Sequence, residues 1–195
     1  MTDTRNEFVS IQMASAIGIG LFAQFWKHDD RYHHELGLIT GEQKTVLLSS
    51  IEGSPNDFWP SCPPIQQLYK QTVDENPVVL GVGMAGSRHY STSVLLQPTE
   101  SSVQLIVESA CLIKDPPGND GKMGTRYQTH QNWSQVELGI QSATIAGCES
   151  FIEPITTTQY TIDSDSNQLW LHANQFESGR ATQWGYKLGL AGSRI

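Results

Sequence analysis

The side chains best suited to chemistry sit in three short stretches. The first is Gly81-Val82-Gly83-Met84-Ala85-Gly86, directly after the apolar Val78-Val79-Leu80. A GxGxxG spacing lets a pyrophosphate approach the backbone, provided a helix starts inside the motif and a parallel strand follows. Here the next residues alternate and are rich in Ser, Thr and Val, as a strand would be. The glycines therefore read as places where a strand bends or another backbone passes close, and no dinucleotide or other cofactor is expected.

The second stretch is Arg88-His89-Tyr90-Ser91. An arginine suits a carboxylate or phosphate, and His89 suits a general base near Ser91 or Ser93. On strand alternation His89, Ser91 and Ser93 share a face opposite Arg88, Tyr90 and Thr92. A nucleophile also needs an orienting third group, and the sequence offers neither a GxSxG elbow nor an evident acid. A polar strand face is the plainer reading. Cys62 is a further candidate nucleophile, with His89, His130 or His172 as base, but its proline-rich setting suggests packing.

The third stretch, His28-Asp29-Asp30-Arg31-Tyr32-His33-His34-Glu35, is rich in metal-ligating types. A helical ligand pair needs histidines at i and i+4, which this spacing lacks, and Arg31 opposes a cation. It reads as a solvated connector, with no metal. Aromatics add one more pattern. Trp170 shares a strand face with Gln168 and His172, and Trp184 shares one with Tyr186. Mixed aromatic and polar faces line ligand sites, and they also occur in cores and subunit contacts. The candidate ligand-binding residues are Arg88, His89, Arg126, Trp170 and His172. No catalytic residue is assigned.

The elements that must position these residues are mostly strands. His34, Leu36 and Leu38 alternate up to Thr40-Gly41, and Val46 and Leu48 alternate beyond it, which predicts a hairpin. Residues 103–113 carry apolar side chains on both faces, which predicts a central strand covered on two sides. Pro98 to Ser101 links it to the run 90–97 as a hairpin loop. Further strands are expected at 136–140, 143–146, 159–162, 168–173 and 184–190, with a turn at 163–167. The Pro/Gly/Asp-rich residues 114–124 read as the most mobile internal loop. One or two short helices are expected. One starts at Pro63 or Pro64 and runs through Ile65, Leu68 and Tyr69, and the other lies in the first half of residues 8–26. The sequence Gly83-Met84-Ala85-Gly86-Ser87-Arg88 is echoed by Gly189-Leu190-Ala191-Gly192-Ser193-Arg194, so a duplication stays open. The spacing suits one mainly β domain over 1–195, an antiparallel β-sandwich or a partly closed barrel.

Composition narrows the function classes. Twelve basic against twenty acidic residues give a net charge of −8, without a basic cluster, so a nucleic-acid partner is disfavoured. Only 16% of residues are charged, against roughly 25% in a typical globular chain. The widely spaced Cys62, Cys111 and Cys148 do not form a disulfide framework and fit a reducing compartment. The stretch 8–26 is interrupted by polar residues and glycines, so neither a signal peptide nor a membrane span is expected, and the cytoplasm is the expected location. Two function classes remain. One is a non-catalytic module binding a small molecule or assembling with itself. The other is a hydrolase- or isomerase-type enzyme built on Arg88, His89, Arg126 and His172.

Overall fold

Alternating side chains sort this chain into two antiparallel sheets packed face to face. The computed structural model describes residues 8–16, 18–112, 123–136, 139–142, 148–155, 158–163, 165–174 and 179–191. The strands are β1 (Phe8–Ala14), β2 (Ile19–His28), β3 (Arg31–Thr40), β4 (Gln43–Ser50), β5 (Gln67–Val73), β6 (Asn76–Ala85), β7 (Arg88–Pro98) and β8 (Val103–Leu112). They continue as β9 (Gly124–Thr129), β10 (Trp133–Val136), β11 (Gly139–Ser142), β12 (Glu149–Ile155), β13 (Thr158–Asp163), β14 (Gln168–Ala173) and β15 (Ala181–Ala191). One sheet has seven strands in the order β1-β2-β3-β4-β9-β14-β13. The other has eight, in the order β10-β11-β12-β15-β8-β7-β6-β5. This is a β-sandwich and not a closed barrel. The main core draws on both sheets, with Leu21, Phe25, Leu36 and Leu48 from one and Leu96, Leu105, Tyr186 and Leu188 from the other.

The 34–48 hairpin forms as expected, with Thr40 opposite Gln43 and Gly41 at φ 61° in the turn. Strand β14 has the expected bounds, and β8 lies mid-sheet between β15 and β7. Its covering differs from expectation. Val103, Leu105 and Val107 are buried, whereas Ile106 and Ala110 are half-buried and Leu112 is exposed. Only one face of β8 meets the core among the described residues.

Neither expected helix is present, and no described residue is helical. Residues 8–26 hold β1 and most of β2, paired from Phe8↔Trp26 to Ala14↔Gly20. The glycines decide this. Gly18 takes φ 77° in the turn, and a Cβ on Gly20 would lie 2.1 Å from the Met13 carbonyl oxygen. The other expected helix gives way to β5, because β6 offers an open edge and pairs along it from Gln67↔Val82 to Val73↔Asn76. A three-residue helical spacing cannot compete with a seven-residue ladder. The run 136–140 is divided between β10 and β11, which form a hairpin. The expected strand at 143–146, most of the 114–124 loop and the end of the second echo copy fall outside the described residues.

Between β4 and β5 the chain follows an irregular strap, residues 51–66. Its tip is exposed, but residues 60 and 62–65 are buried. Backbone bonds hold it: Ile51 N to Arg126 O (2.9 Å), Arg126 N to Ser61 O (3.0 Å), Tyr32 N to Ile65 O (2.7 Å) and Gln66 N to Val82 O (2.9 Å). The buried prolines suit this path, since they bring no N–H that needs a partner. The strap explains the GxGxxG spacing. A Cβ on Gly83 would lie 1.5 Å from the Pro64 carbonyl oxygen, and one on Gly81 would lie 2.8 Å from Ile65 Cγ2. Beyond Gly86 the chain turns straight into β7, antiparallel to β6.

Candidate functional site

The five ligand candidates occupy three places. Arg88 and His89 lie on opposite faces of β7, as alternation requires. Arg88 turns toward the strap, with its guanidinium carbon 3.8 Å from the Trp59 ring centroid and 5.9 Å from that of Phe58. It sits beside a small apolar cluster at one end of the sandwich that includes Tyr90, Cys111 and Trp184. His89 projects from the outer face of the eight-stranded sheet, on the same side as Ser91 and Ser93. The other three residues come together on the outer face of the seven-stranded sheet. Arg126 and Trp170 are cross-strand partners, the guanidinium lies 5.4 Å from the indole centroid, and the His172 ring meets that indole edge-on at 5.9 Å. Arg126 thus lies over a face of Trp170 that a flat ligand would use. The Arg88/His89 pair and His172 belong to different sheets.

The outer face of the eight-stranded sheet carries an open trough. Two adjoining hollows of about 510 and 370 Å³ share Val82, Ser91 and Ala110. Short side chains on β7 and β8 form the floor, and larger apolar ones from β6 and β8 stand at the rim. Val82 is 41% exposed, Met84 46% and Leu112 49%. His89, Tyr90 and Glu108 are the ionisable residues in the lining. Among the described residues the His89 ring has no hydrogen-bond partner that would orient it as a base.

A second constellation lies inside the sandwich. His34 Nε2 is 2.9 Å from the Tyr127 hydroxyl, which is hydrogen-bonded in turn to the Tyr186 hydroxyl across the inter-sheet gap. On the other side of the imidazole, His34 Nδ1 is 3.9 Å from Glu52 Oε1, too far for a direct hydrogen bond. Arg31, nearly fully buried, spends Nε and one terminal nitrogen on Asp30 at 2.9 and 3.1 Å. Its remaining Nη1, His34 Nδ1 and both Glu52 oxygens have no hydrogen-bond partner among the described residues. Cys62, on the strap, closes the group by donating to Arg126 O at 3.3 Å.

Burial dominates the electrostatics there. It lowers the His34 pKa to about 3, so the ring is neutral. It raises Glu52 to about 7, against the opposing pull of the Ser50 hydroxyl and the Arg31 guanidinium. It also raises Cys62, Tyr127 and Tyr186. An acid, a histidine and a hydroxyl in series resemble a nucleophile relay, but this phenol is held protonated and buried. The string ties the two sheets together. Tyr127→Phe removes one hydroxyl and with it two buried hydrogen bonds, so it should cost about 2 kcal/mol in urea unfolding. Tyr186→Phe removes one of the two and should cost less. A double-mutant cycle should show that the two losses are not additive.

Sequence reasoning set His34 with Leu36 and Leu38, and Tyr186 with Trp184, on shared strand faces but missed the group. Glu52 gave no signal, standing beside the breaker Gly53-Ser54-Pro55 where an exposed acid is the norm. Among the described residues no three His, Cys, Asp or Glu side chains are grouped to hold a metal, and no helix is long and apolar enough to cross a membrane. No protein-family model matches the chain, and no curated protein or solved structure is significantly similar to it.

Proposed function

We propose that this chain is a non-catalytic binding module whose trough on the open face of the eight-stranded sheet takes a small, mainly apolar ligand. One observation carries the reading: Val82, Met84 and Leu112 stand exposed around a floor of small residues. Their hydration is lost on binding, at about 25 cal/mol per Å² of apolar surface covered. The hollow volumes suit a ligand of ordinary metabolite size. His89 and Ser91 supply polar contacts that would fix its orientation. The Arg126, Trp170 and His172 cluster is a secondary contact surface in this reading. The enzyme alternative is weaker, because Arg88 and His89 lie in a different sheet from His172, and because Ser49, which meets His130 Nε2 at 2.8 Å, donates its own proton to Glu35. Three free, buried cysteines fit a reducing cytoplasm.

A fluorescent apolar dye such as bis-ANS tests the trough. Saturable binding to the native protein is expected, and Met84→Glu should weaken it by about ten-fold, as a charge set in an apolar contact would. Unchanged affinity in Met84→Glu and in Leu112→Glu would remove the trough from consideration. A second reading, self-assembly through the same face, draws on the uncovered apolar side of β8. Sedimentation velocity separates the two: concentration-dependent mass that Leu112→Glu abolishes would favour assembly.

A further inference from the structure

We propose that the strap, residues 51–66, is a releasable latch that loosens from the sandwich when its own buried Glu52 carboxyl becomes charged. The latch is distinct from the trough and does not depend on what the trough binds.

Three observations lead there. First, four buried polar atoms without partners converge at one spot: both Glu52 oxygens, His34 Nδ1 and Arg31 Nη1. Buried polar atoms are nearly always paired in folded proteins, so one such cluster marks a local weakness. Second, that spot lies under irregular chain. The strap has no ladder of its own and is held by the few backbone bonds at Ile51, Ser61, Ile65 and Gln66. Segments held in this way open locally without global unfolding. Third, the charges around Glu52 cannot absorb another negative one. From the β2–β3 turn and β3 come Asp30, Arg31 and a neutral His34. From β4 comes the Ser50 hydroxyl, from β9 the protonated Tyr127, and from the strap itself Cys62, while Asp57 acts on Arg31. Arg31 is the only cation among them, and Asp30 already neutralises it. A protonated Glu52 is therefore tolerated, whereas its carboxylate must either rely on the Ser50 hydroxyl and the already neutralised Arg31 or reach water by moving the strap. Burial raises Glu52 to about 7, which puts this choice near neutral pH.

Cys62 reports the motion. It is fully buried on the strap, whereas Cys111 and Cys148 are buried elsewhere and report global unfolding. The full-length protein is labelled with iodoacetamide, each cysteine is followed by mass spectrometry, and each rate is divided by that of the urea-denatured chain at the same pH. The ratio of wild-type to Glu52→Gln labelling at Cys62 should grow at least ten-fold, roughly, between about pH 5 and pH 8.5. Taking this ratio removes the contribution of His34. Cys111 and Cys148 should stay protected throughout. A constant ratio overturns the latch, and so does labelling of all three cysteines in parallel. If Glu52→Gln does not fold, the wild-type protein alone decides. Its corrected Cys62 rate should rise about two-fold between pH 6.5 and 8.5, a four-fold gain from Glu52 halved because about half of the opened-state His34 is still protonated at 6.5, and a flat or falling rate there refutes the proposal. Trough binding of the apolar dye is a separate readout, so either result stands without the other.

Discussion

Gly83→Ala should be among the most damaging single-methyl additions in the described part of the molecule, costing about 4 kcal/mol in denaturant unfolding. The added Cβ would fall 1.5 Å from the Pro64 carbonyl oxygen and 3.1 Å from the Gln66 amide nitrogen. Both neighbours are backbone, and neither is free to move. Pro63 and Pro64 fix the local dihedrals, Ile65 O accepts from Tyr32 N, and Gln66 N donates to Val82 O. Relief requires lifting the strap from β6, which uncovers Ile65 and Cys62 and breaks those bonds. Two other glycines calibrate the effect. At Gly81 the obstacle is the Ile65 side chain, which can rotate, so Gly81→Ala should cost less. At Gly41 nothing lies within 4 Å and only the positive φ is strained, so Gly41→Ala should cost about 1 kcal/mol. The order Gly83, Gly81, Gly41 follows from backbone crowding. A phosphate-cradling role for the motif predicts no such order, because its glycines would face ligand and not the chain's own strap.

That distinction was legible in the sequence for a physical reason. A strand announces itself every second residue, so the alternation after Gly86 was enough to separate a sheet glycine from a nucleotide loop. The same period grouped His34 with Leu36 and Leu38, and Trp184 with Tyr186, on shared faces, and the structure buries both groups. Legibility fails where position depends on distant partners. Residues 63–69 carry a plausible helical spacing, and only the open edge of β6 makes Gln67–Val73 a strand. The apolar outer side of β8 looked like a second buried face, because composition records that a surface is apolar and not whether anything covers it. Arg126, Trp170 and His172 could be paired in advance only by knowing that β9 and β14 are neighbours. Glu52 is the extreme case. Its burial is imposed by a strap whose course is irregular and leaves no periodic trace.

Glu52 also sets the second large effect, a pH-dependent gap between wild type and Glu52→Gln. In the folded protein its carboxyl ionises near 7, against an ordinary value of 4.5. Between these values the unfolded chain has lost a proton that the native state retains, so this group's contribution to stability is full below about 4.5 and falls as pH rises through 7. The total loss is about 3 kcal/mol, at 1.36 kcal/mol per pH unit of displacement. His34 acts in the opposite sense. Its folded value near 3 lies below the usual 6.5, so its contribution is present above 6.5 and is lost on acidification toward 3. The two slopes nearly cancel between about pH 4.5 and 6.5, and the wild-type profile should be flat there, falling away on both sides. Glutamine fills the same space without an ionisable proton and leaves the His34 slope uncovered. The stability of Glu52→Gln should therefore climb from pH 4.5 to 6.5 where wild type is level, and hold above 7 where wild type declines. The difference between them should change by about 3 kcal/mol over the whole interval in favour of glutamine at the alkaline end. Urea unfolding at each pH measures it. Parallel profiles for the two proteins would mean that Glu52 is ionised at an ordinary pKa, and hence that water reaches its carboxylate in the folded state.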